Sequence, residues 1–278
     1  MSKLSVLACQ TEIPRTRTRE ERDQHVTKLA YRIDRFLIRQ KADLVVLPEL
    51  AAIEYSREAF ENLHLLADPL DTSSCVSTLA DLAKRHNVHI MFGAPRQEGS
   101  RYFISVIGLN PAGKILGHYD KIHICQYGAS MEKEYFHSGQ HLFVFEINGI
   151  KIAPIICYDI RFPELTRVLC EKYGTDLIVH CGAYAKDESF YSWHHFAVTR
   201  AMENQCHLIS LNRAGKMFGS SVICAPWVDE NRPPFIFGPN EEFRLVEIDK
   251  QDQVSIRSNY TFLDDKLDDY TALECQVR

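Results

Sequence analysis

Several features are missing from this 278-residue sequence, and each absence removes a class of protein. No apolar run approaches the roughly 18 residues that suggest a membrane-spanning helix, so no membrane partner is expected. There is no basic tract, and a formal net charge of -5 with an isoelectric point near 6.2 leaves no electrostatic footprint for nucleic acid. Low-complexity stretches, internal repeats and Gly/Ser-rich linkers are absent, which favours a single domain over residues 1–278. No CxxC pair points to structural zinc. The opening "MSKLSVLACQTEIP" runs straight into a strand-like segment without the pattern of a cleavable signal, so the cytoplasm is the expected compartment.

What is present is ordinary in bulk, with 45% hydrophobic and 25% charged residues. The nine cysteines are odd in number and dispersed through apolar segments, a poor disulfide framework that reads as reduced thiols, all but one in the core. "HYDKIHIC" places His118, His123 and Cys125 close together, and His194 adjoins His195. A zinc shell would need further ligands, so no metal and no cofactor are expected.

Strand-like runs recur as "LSVLACQ", "DLVVLPE", "NVHIMFGAP", "YFISVIGLN", "FVFEI", "KIAPIIC", "DLIVHCG" and "HLISLN". Several are apolar throughout, the pattern of strands buried on both faces. Others read as hairpin partners, with "NPAG" at 110–113 as a turn. Helical patterns alternate with them. Thr18 and Glu21 have capping-box spacing ahead of an apolar stripe of Val26, Leu29, Ala30, Ile33, Phe36 and Leu37. A second helix is expected from about Ser73 to Arg85 and a third from about Phe190 to Asn204. Helices outside two sheets that cover each other give an α/β fold, a layered sandwich.

Three polar residues punctuate the ends of apolar strands: Glu49 in "DLVVLPEL", Lys121 in "GHYDKIH" and Cys157 in "IICYDIRFPEL". Pro163 then opens a helix. Burial would raise the pKa of Glu49 and make it a proton acceptor near neutrality. A cysteine of ordinary pKa, about 8.5, is only a few per cent thiolate at pH 7, and a neighbouring base and cation can change its reactivity. Taken singly, Glu49 reads equally as a helix cap or arginine partner, Lys121 as a solvated lysine and Cys157 as an inert core thiol.

Together, "LVVLPEL", "YDKIHI" and "IICYDIRFPEL", in that order, resemble the nitrilase superfamily of carbon–nitrogen hydrolases over nearly the whole chain. The resemblance implies a four-layer α-β-β-α sandwich and assigns Glu49 as general base, Lys121 as the cationic residue and Cys157 as nucleophile. A second family glutamate falls on Glu132 rather than Glu134, judged by distance from Gly139. The backbone N–H of Tyr158 would assist Lys121 at the oxyanion. Tyr55, Tyr127, Tyr184 and Phe190 are candidates to line the pocket and read equally as packing. "YSWHHFAVTRAMENQ" and "GSSVICAPW" also match the family pattern, whereas Asp120, Ser192 and Trp227 depart from it.

The resemblance implies a thiol amidase acting on a small carboxamide of the ω-amide kind. The "EKEYF" segment keeps a ureido substrate as the alternative, with nitrile hydrolysis further behind. A Cys157–histidine hydrolase and a silent scaffold of the same fold are the rival classes. A homodimer or larger homo-oligomer is expected, with a tail from about residue 258 at the subunit interface.

Overall fold

The computed structural model describes residues 2–277. The first half of the chain runs β1 (Lys3–Gln10), α1 (Arg19–Leu37), β2 (Leu44–Val46), α2 (Arg57–Glu61), α3 (Leu63–Leu66), α4 (Ser74–His86), β3 (His89–Glu98), β4 (Arg101–Leu109) and β5 (Ile115–Asp120). The second half runs β6 (Phe145–Ile147), β7 (Ile150–Ile156), α5 (Pro163–Glu171), β8 (Leu177–Cys181), α6 (Phe190–Glu203), β9 (His207–Leu211), β10 (Val222–Cys224), β11 (Phe235–Ile236), β12 (Glu242–Asp249) and α7 (Lys250–Asn259).

Local chemistry sets several of these boundaries. Thr18 caps α1 through the reciprocal box with Glu21, each backbone N–H bonded to the other side chain at 3.2 Å. Asn87 closes α4 in the left-handed conformation, with φ of 52°. Pro163 starts α5 after a short 3-10 turn at Cys157–Arg161. The "FVFEI" segment forms a strand only from Phe145.

Two six-stranded sheets result, ordered β12-β1-β2-β3-β4-β5 and β11-β10-β9-β8-β7-β6. In the first, β1, β2 and β3 are parallel and the remaining pairings are antiparallel. The second repeats that arrangement, with β7, β8 and β9 parallel. The topology is therefore duplicated although the sequence shows no repeat.

Alternation along the strands builds the layers. On β7, Ile152 and Ile156 enter the core between the sheets, whereas Ala153 and Ile155 enter a second core under α5 and α6. Residues of α1 and α4 pack on the outer face of the first sheet. The four layers are α-β-β-α, as the resemblance implied. Ligand crevices favour the carboxyl ends of parallel strands, and Glu49 and Cys157 both lie there, just beyond β2 and β7.

Candidate active site

Glu49 sits at a tight corner. A Cβ on Gly93 of β3 would lie 2.3 Å from Pro48 O and 2.8 Å from Glu49 Cα, so only glycine lets the neighbouring strand pass. Leu50, immediately after the glutamate, is held at φ of 47° although it carries a side chain. Lys121 follows β5 directly; its carbonyl accepts the Gly139 N–H at 2.8 Å, and a Cβ on Gly139 would meet Asp120 O at 2.1 Å.

Cys157 is also forced into the left-handed region, with φ of 45°. Its turn is fastened from two sides. The buried Asp159 carboxylate accepts from Ile156 N at 3.0 Å, His123 N at 2.9 Å, His123 Nδ1 at 2.7 Å and Tyr119 Oη at 2.8 Å. The Cys157 carbonyl accepts from Tyr184 Oη at 2.9 Å and from His180 Nε2 at 3.0 Å. Because a carbonyl only accepts, Nε2 carries the proton. Burial pushes the His180 pKa down to about 4, leaving the ring neutral and Nδ1 free to accept from Ser210 Oγ at 2.6 Å. Ser210 Oγ in turn accepts from Trp193 Nε1 at 2.7 Å.

These corners converge. Lys121 Nζ donates to Glu49 Oε1 at 3.0 Å and to Glu132 Oε1 at 2.6 Å, and all three side chains are fully buried. Glu132 also accepts from Tyr55 Oη at 2.7 Å and from Cys125 N at 2.9 Å. Glu49 Oε2 has no hydrogen-bond partner, and the Cys157 thiol is near enough for the two groups to shift each other's titration. Glu134, by contrast, lies at the surface paired with Arg57 at 2.5 Å.

Burial raises the Glu49 pKa to about 7; Lys121 opposes that rise and Glu132 reinforces it. Burial, then the Glu49 charge, pushes the Cys157 thiol well above its ordinary value, with Lys121 pulling the other way. Burial works against the Lys121 ammonium, but Cys157, Glu132 and Glu49 together hold its pKa well above the usual range. The resting site therefore holds a protonated thiol beside a carboxyl that titrates near neutrality, with a fixed cation between two carboxylates.

Above this cluster lies a small open pocket, with Cys157 and Glu132 in its wall beside Tyr55, Tyr127, Tyr158 and Tyr184. Glu49 and Lys121 sit behind that wall. The loop bearing Tyr127 is tied to the one bearing Asp187 by the Ala129 N–H to Asp187 Oδ2 bond at 3.1 Å. Phe190 lies outside the wall and packs edge-on to Trp193 at 5.5 Å. Arg161 is not in the wall; its guanidinium lies 5.9 Å from the ring of the lining Tyr127 and 4.6 Å from that of Phe196. It bonds Ser192 Oγ at 3.3 Å, its Nε has no partner, and it forms no ion pair among the described residues.

Sequence reasoning quoted the segment that holds Trp193 for its match to the family pattern and did not name His180, Ser210 or Tyr119. A signal for His180 was there: it is the one imidazole, and the one strong hydrogen-bonding side chain, inside the apolar run "LIVHC". Among the described residues no histidine bonds the Cys157 sulfur, as a Cys–His hydrolase would need; His180 meets the Cys157 carbonyl and Ser210 Oγ instead. His118, Asp120 and His141 bring ligand atoms within 4.8 Å of one another, but Asp120 is already engaged by Arg96 at 2.7 and 3.0 Å and by Ser105. His123, noted in the sequence beside His118, turns instead to Asp159.

Comparison with known proteins agrees with this geometry. The family model described as Carbon-nitrogen hydrolase matches residues 6–230. The chain is 34% identical to the 2-oxoglutaramate amidase of Bacillus subtilis (strain 168), over 81% of this chain and 85% of that protein. It is 31% identical to a nitrilase of Pyrococcus abyssi, over 68% of this chain and 70% of that one. The crystal structure of Saccharomyces cerevisiae Nit3, a member of branch 10 of the nitrilase superfamily, superposes with a TM-score of 0.81 at 22% identity, covering 98% of this chain and 97% of that one. A duplicated sandwich whose strand ends deliver a carboxylate, an ammonium and a thiol to one pocket, together with a family match across most of its length, places this chain in the carbon–nitrogen hydrolase family.

Proposed function

We propose that the chain is a thiol amidase that hydrolyses a small carboxamide bearing a remote carboxylate, an ω-amide, and releases ammonia. The observation that carries this reading is the Glu49–Lys121–Glu132 cluster, packed against Cys157 at the wall of the pocket. Glu49 takes the thiol proton as the Cys157 sulfur bonds to the amide carbon. Lys121 Nζ and the Tyr158 N–H stabilise the oxyanion that develops. The intermediate collapses to a thioester as ammonia leaves with the proton held by Glu49. Glu49 then deprotonates water, which attacks the thioester, and the acid leaves as the thiol is re-formed. Glu132 holds Lys121 in place and meets the amide nitrogen.

The raised thiol pKa favours attack concerted with proton transfer over a preformed thiolate. Arg161, which lies beside Tyr127 and forms no ion pair among the described residues, would receive the remote carboxylate of such a substrate, and the name of the Bacillus subtilis relative supports that class. The free cysteines, all nine unpaired, favour a reducing cytoplasm. A homodimer would use the apolar side chains left exposed on α5, α6 and the tail, such as Val168, Tyr191 and Leu273.

Ammonia release should be measured in parallel on ω-amides, N-carbamoyl amino compounds and nitriles, with mass spectrometry of Cys157 during turnover. Turnover of ω-amides with an acyl adduct on Cys157 is the expected result. Ammonia from ureido substrates alone would move the assignment to a carbamoylase, and activity confined to nitriles, or no adduct with any substrate, would overturn it.

A further inference from the structure

Arg213, just past the end of β9, is a buried cation to which the proposed reaction gives no part. It is 2% exposed, forms no ion pair among the described residues, and its Nε has no partner. Keeping a guanidinium from water without a carboxylate against it is costly. Its Nη2 goes instead to two carbonyls of the Glu49 corner, donating to Leu50 O at 3.3 Å and to Ile53 O.

That corner is the strained part of the site. Leu50, next to the base, is held at φ of 47° with Gly93 of β3 passing close against it. Leu50 O also accepts from Ile53 N at 3.1 Å, and Ala51 O accepts from His25 Nε2 at 2.9 Å. Burial lowers the His25 pKa to about 4, so the α1 ring that holds Ala51 is neutral. Arg213 is the charged member of the clamp. Its neighbour Asn212 reaches the other corner. Asn212 Oδ1 accepts from Tyr184 N at 2.8 Å and its Nδ2 donates to Tyr184 O at 3.0 Å, while the Tyr184 hydroxyl bonds the Cys157 carbonyl. One dipeptide after β9 thus braces both the base and the nucleophile.

Charge gives Arg213 a second role. Around Glu49 stand Lys121, Glu132, Tyr55, Cys157, Cys181 and Tyr184, and of these only Lys121 is positive. Once Glu49 ionises, that one ammonium faces two carboxylates. Burial pulls the Arg213 pKa down to about 10, and the Glu49 charge is first among those that oppose the fall. The guanidinium is therefore charged at neutral pH and coupled to the base.

We infer that Arg213 is a positioning residue for the general base: it holds the Leu50–Ile53 turn that carries Glu49 and brings a second buried positive charge to the carboxyl. The inference rests on Glu49 acting as base in the proposed reaction, and not on which amide is cleaved.

The rate at which iodoacetamide alkylates Cys157, followed across pH by mass spectrometry, reads the base without a turnover substrate. In the natural chain that rate should step up near pH 7 as Glu49 ionises. Arg213→Gln keeps a donor for the carbonyls and removes the charge, so its step should move up by at least about half a pH unit. Arg213→Lys keeps the charge without the planar fork. Its step should stay in place while kcat on the best amide falls at least about fivefold. His25→Phe loosens the same corner with no change of charge, and should lower kcat without moving the step. Each variant is compared where its circular dichroism spectrum matches that of the natural chain. A step unmoved in Arg213→Gln, an equal shift in His25→Phe, or full kcat in Arg213→Lys would overturn the inference. Should Arg213→Gln not fold, the Arg213→Lys and His25→Phe results decide it. Failure of the ω-amide reading would show separately, as a Cys157 step near pH 7 in a chain that releases no ammonia from ω-amides.

Discussion

At Glu49, the general base of the proposed reaction, one carboxyl is buried at the expense of the fold. Its pKa of about 7 in the folded chain stands above the ordinary 4.5, because burial outweighs the attraction of Lys121. The folded state therefore holds a proton that the unfolded chain has already lost between those values. The stability this proton provides is complete below pH 4.5 and disappears as pH rises through about 7. Glu49→Gln should then be more stable than the natural chain at about pH 8, by on the order of 3 kcal/mol, and gain little at about pH 5. Its kcat should fall at least about a hundredfold, since a general base is lost. Thermal melts at both pH values check the first expectation, and a gain of equal size at each pH would contradict it. In the natural chain kcat/KM should rise with pH through about 7 as Glu49 ionises. A profile flat across that range would remove Glu49 as the base. His180 offers a finer test. Glutamine can present an N–H where Nε2 now meets the Cys157 carbonyl, whereas phenylalanine fills the space without a donor. His180→Phe should lower kcat by about tenfold or more with KM little changed, and His180→Gln should recover most of it. Equal losses in both variants would assign His180 to packing alone.

The elements show why some of this was legible in sequence and some was not. The apolar runs that became β2 and β7 are each broken by a polar residue, so Glu49 and Cys157 could be picked out at strand ends, although burial itself continues past Glu49 to Ile53. Hydrophobic period is local, and it gave α1, α4 and α6 to within a residue or two. Register is not local. Parallel pairing of β8 with β9 sets His180 opposite Ser210, and nothing in "DLIVHCG" or "HLISLN" announces that pairing. The edge strand β12, half exposed, alternates polar and apolar residues but changes phase between Leu245 and Val246, which puts charges on both faces, and it went unnoticed. The duplicated sheet order was hidden for a related reason, because equivalent strands need only equivalent burial, not equivalent residues. The turn at Cys157 belongs to this scale as well. Four donors converge on Asp159, and asparagine would keep one acceptor oxygen while adding two donors. Asp159→Asn should destabilise the chain by about 2–4 kcal/mol and lower kcat, as the strained turn relaxes. Chemical denaturation with activity assays at low denaturant would show it, and a neutral substitution would mean the turn is held by the Cys157 carbonyl clamp alone.

At the scale of the molecule, the site straddles a seam. Glu49 and Lys121 arrive from the first sheet and Cys157 from the second, so the chemistry exists only while both sheets share one core. That core is contiguous: Val6, Val46 and Met91 of the first sheet pack in the same cluster as Ile156, Val179 and Leu211 of the second. Neither sheet can shed the other without exposing an entire apolar face, which argues for one cooperative unit despite the length of the chain. Calorimetry should therefore show a single transition, with activity lost at the same midpoint as secondary structure. Leu177, fully buried between the sheets at the start of β8, lies at the opposite end of that strand from Cys181, which pairs with Ile156 just before the Cys157 turn, and allows a sharper test. Leu177→Ala should cost about 2–5 kcal/mol, lower the activity and structure midpoints together, and leave KM unchanged. Two resolved transitions, or activity that disappears while both sheets persist, would mean that the halves are held together by their loops rather than by the core they share.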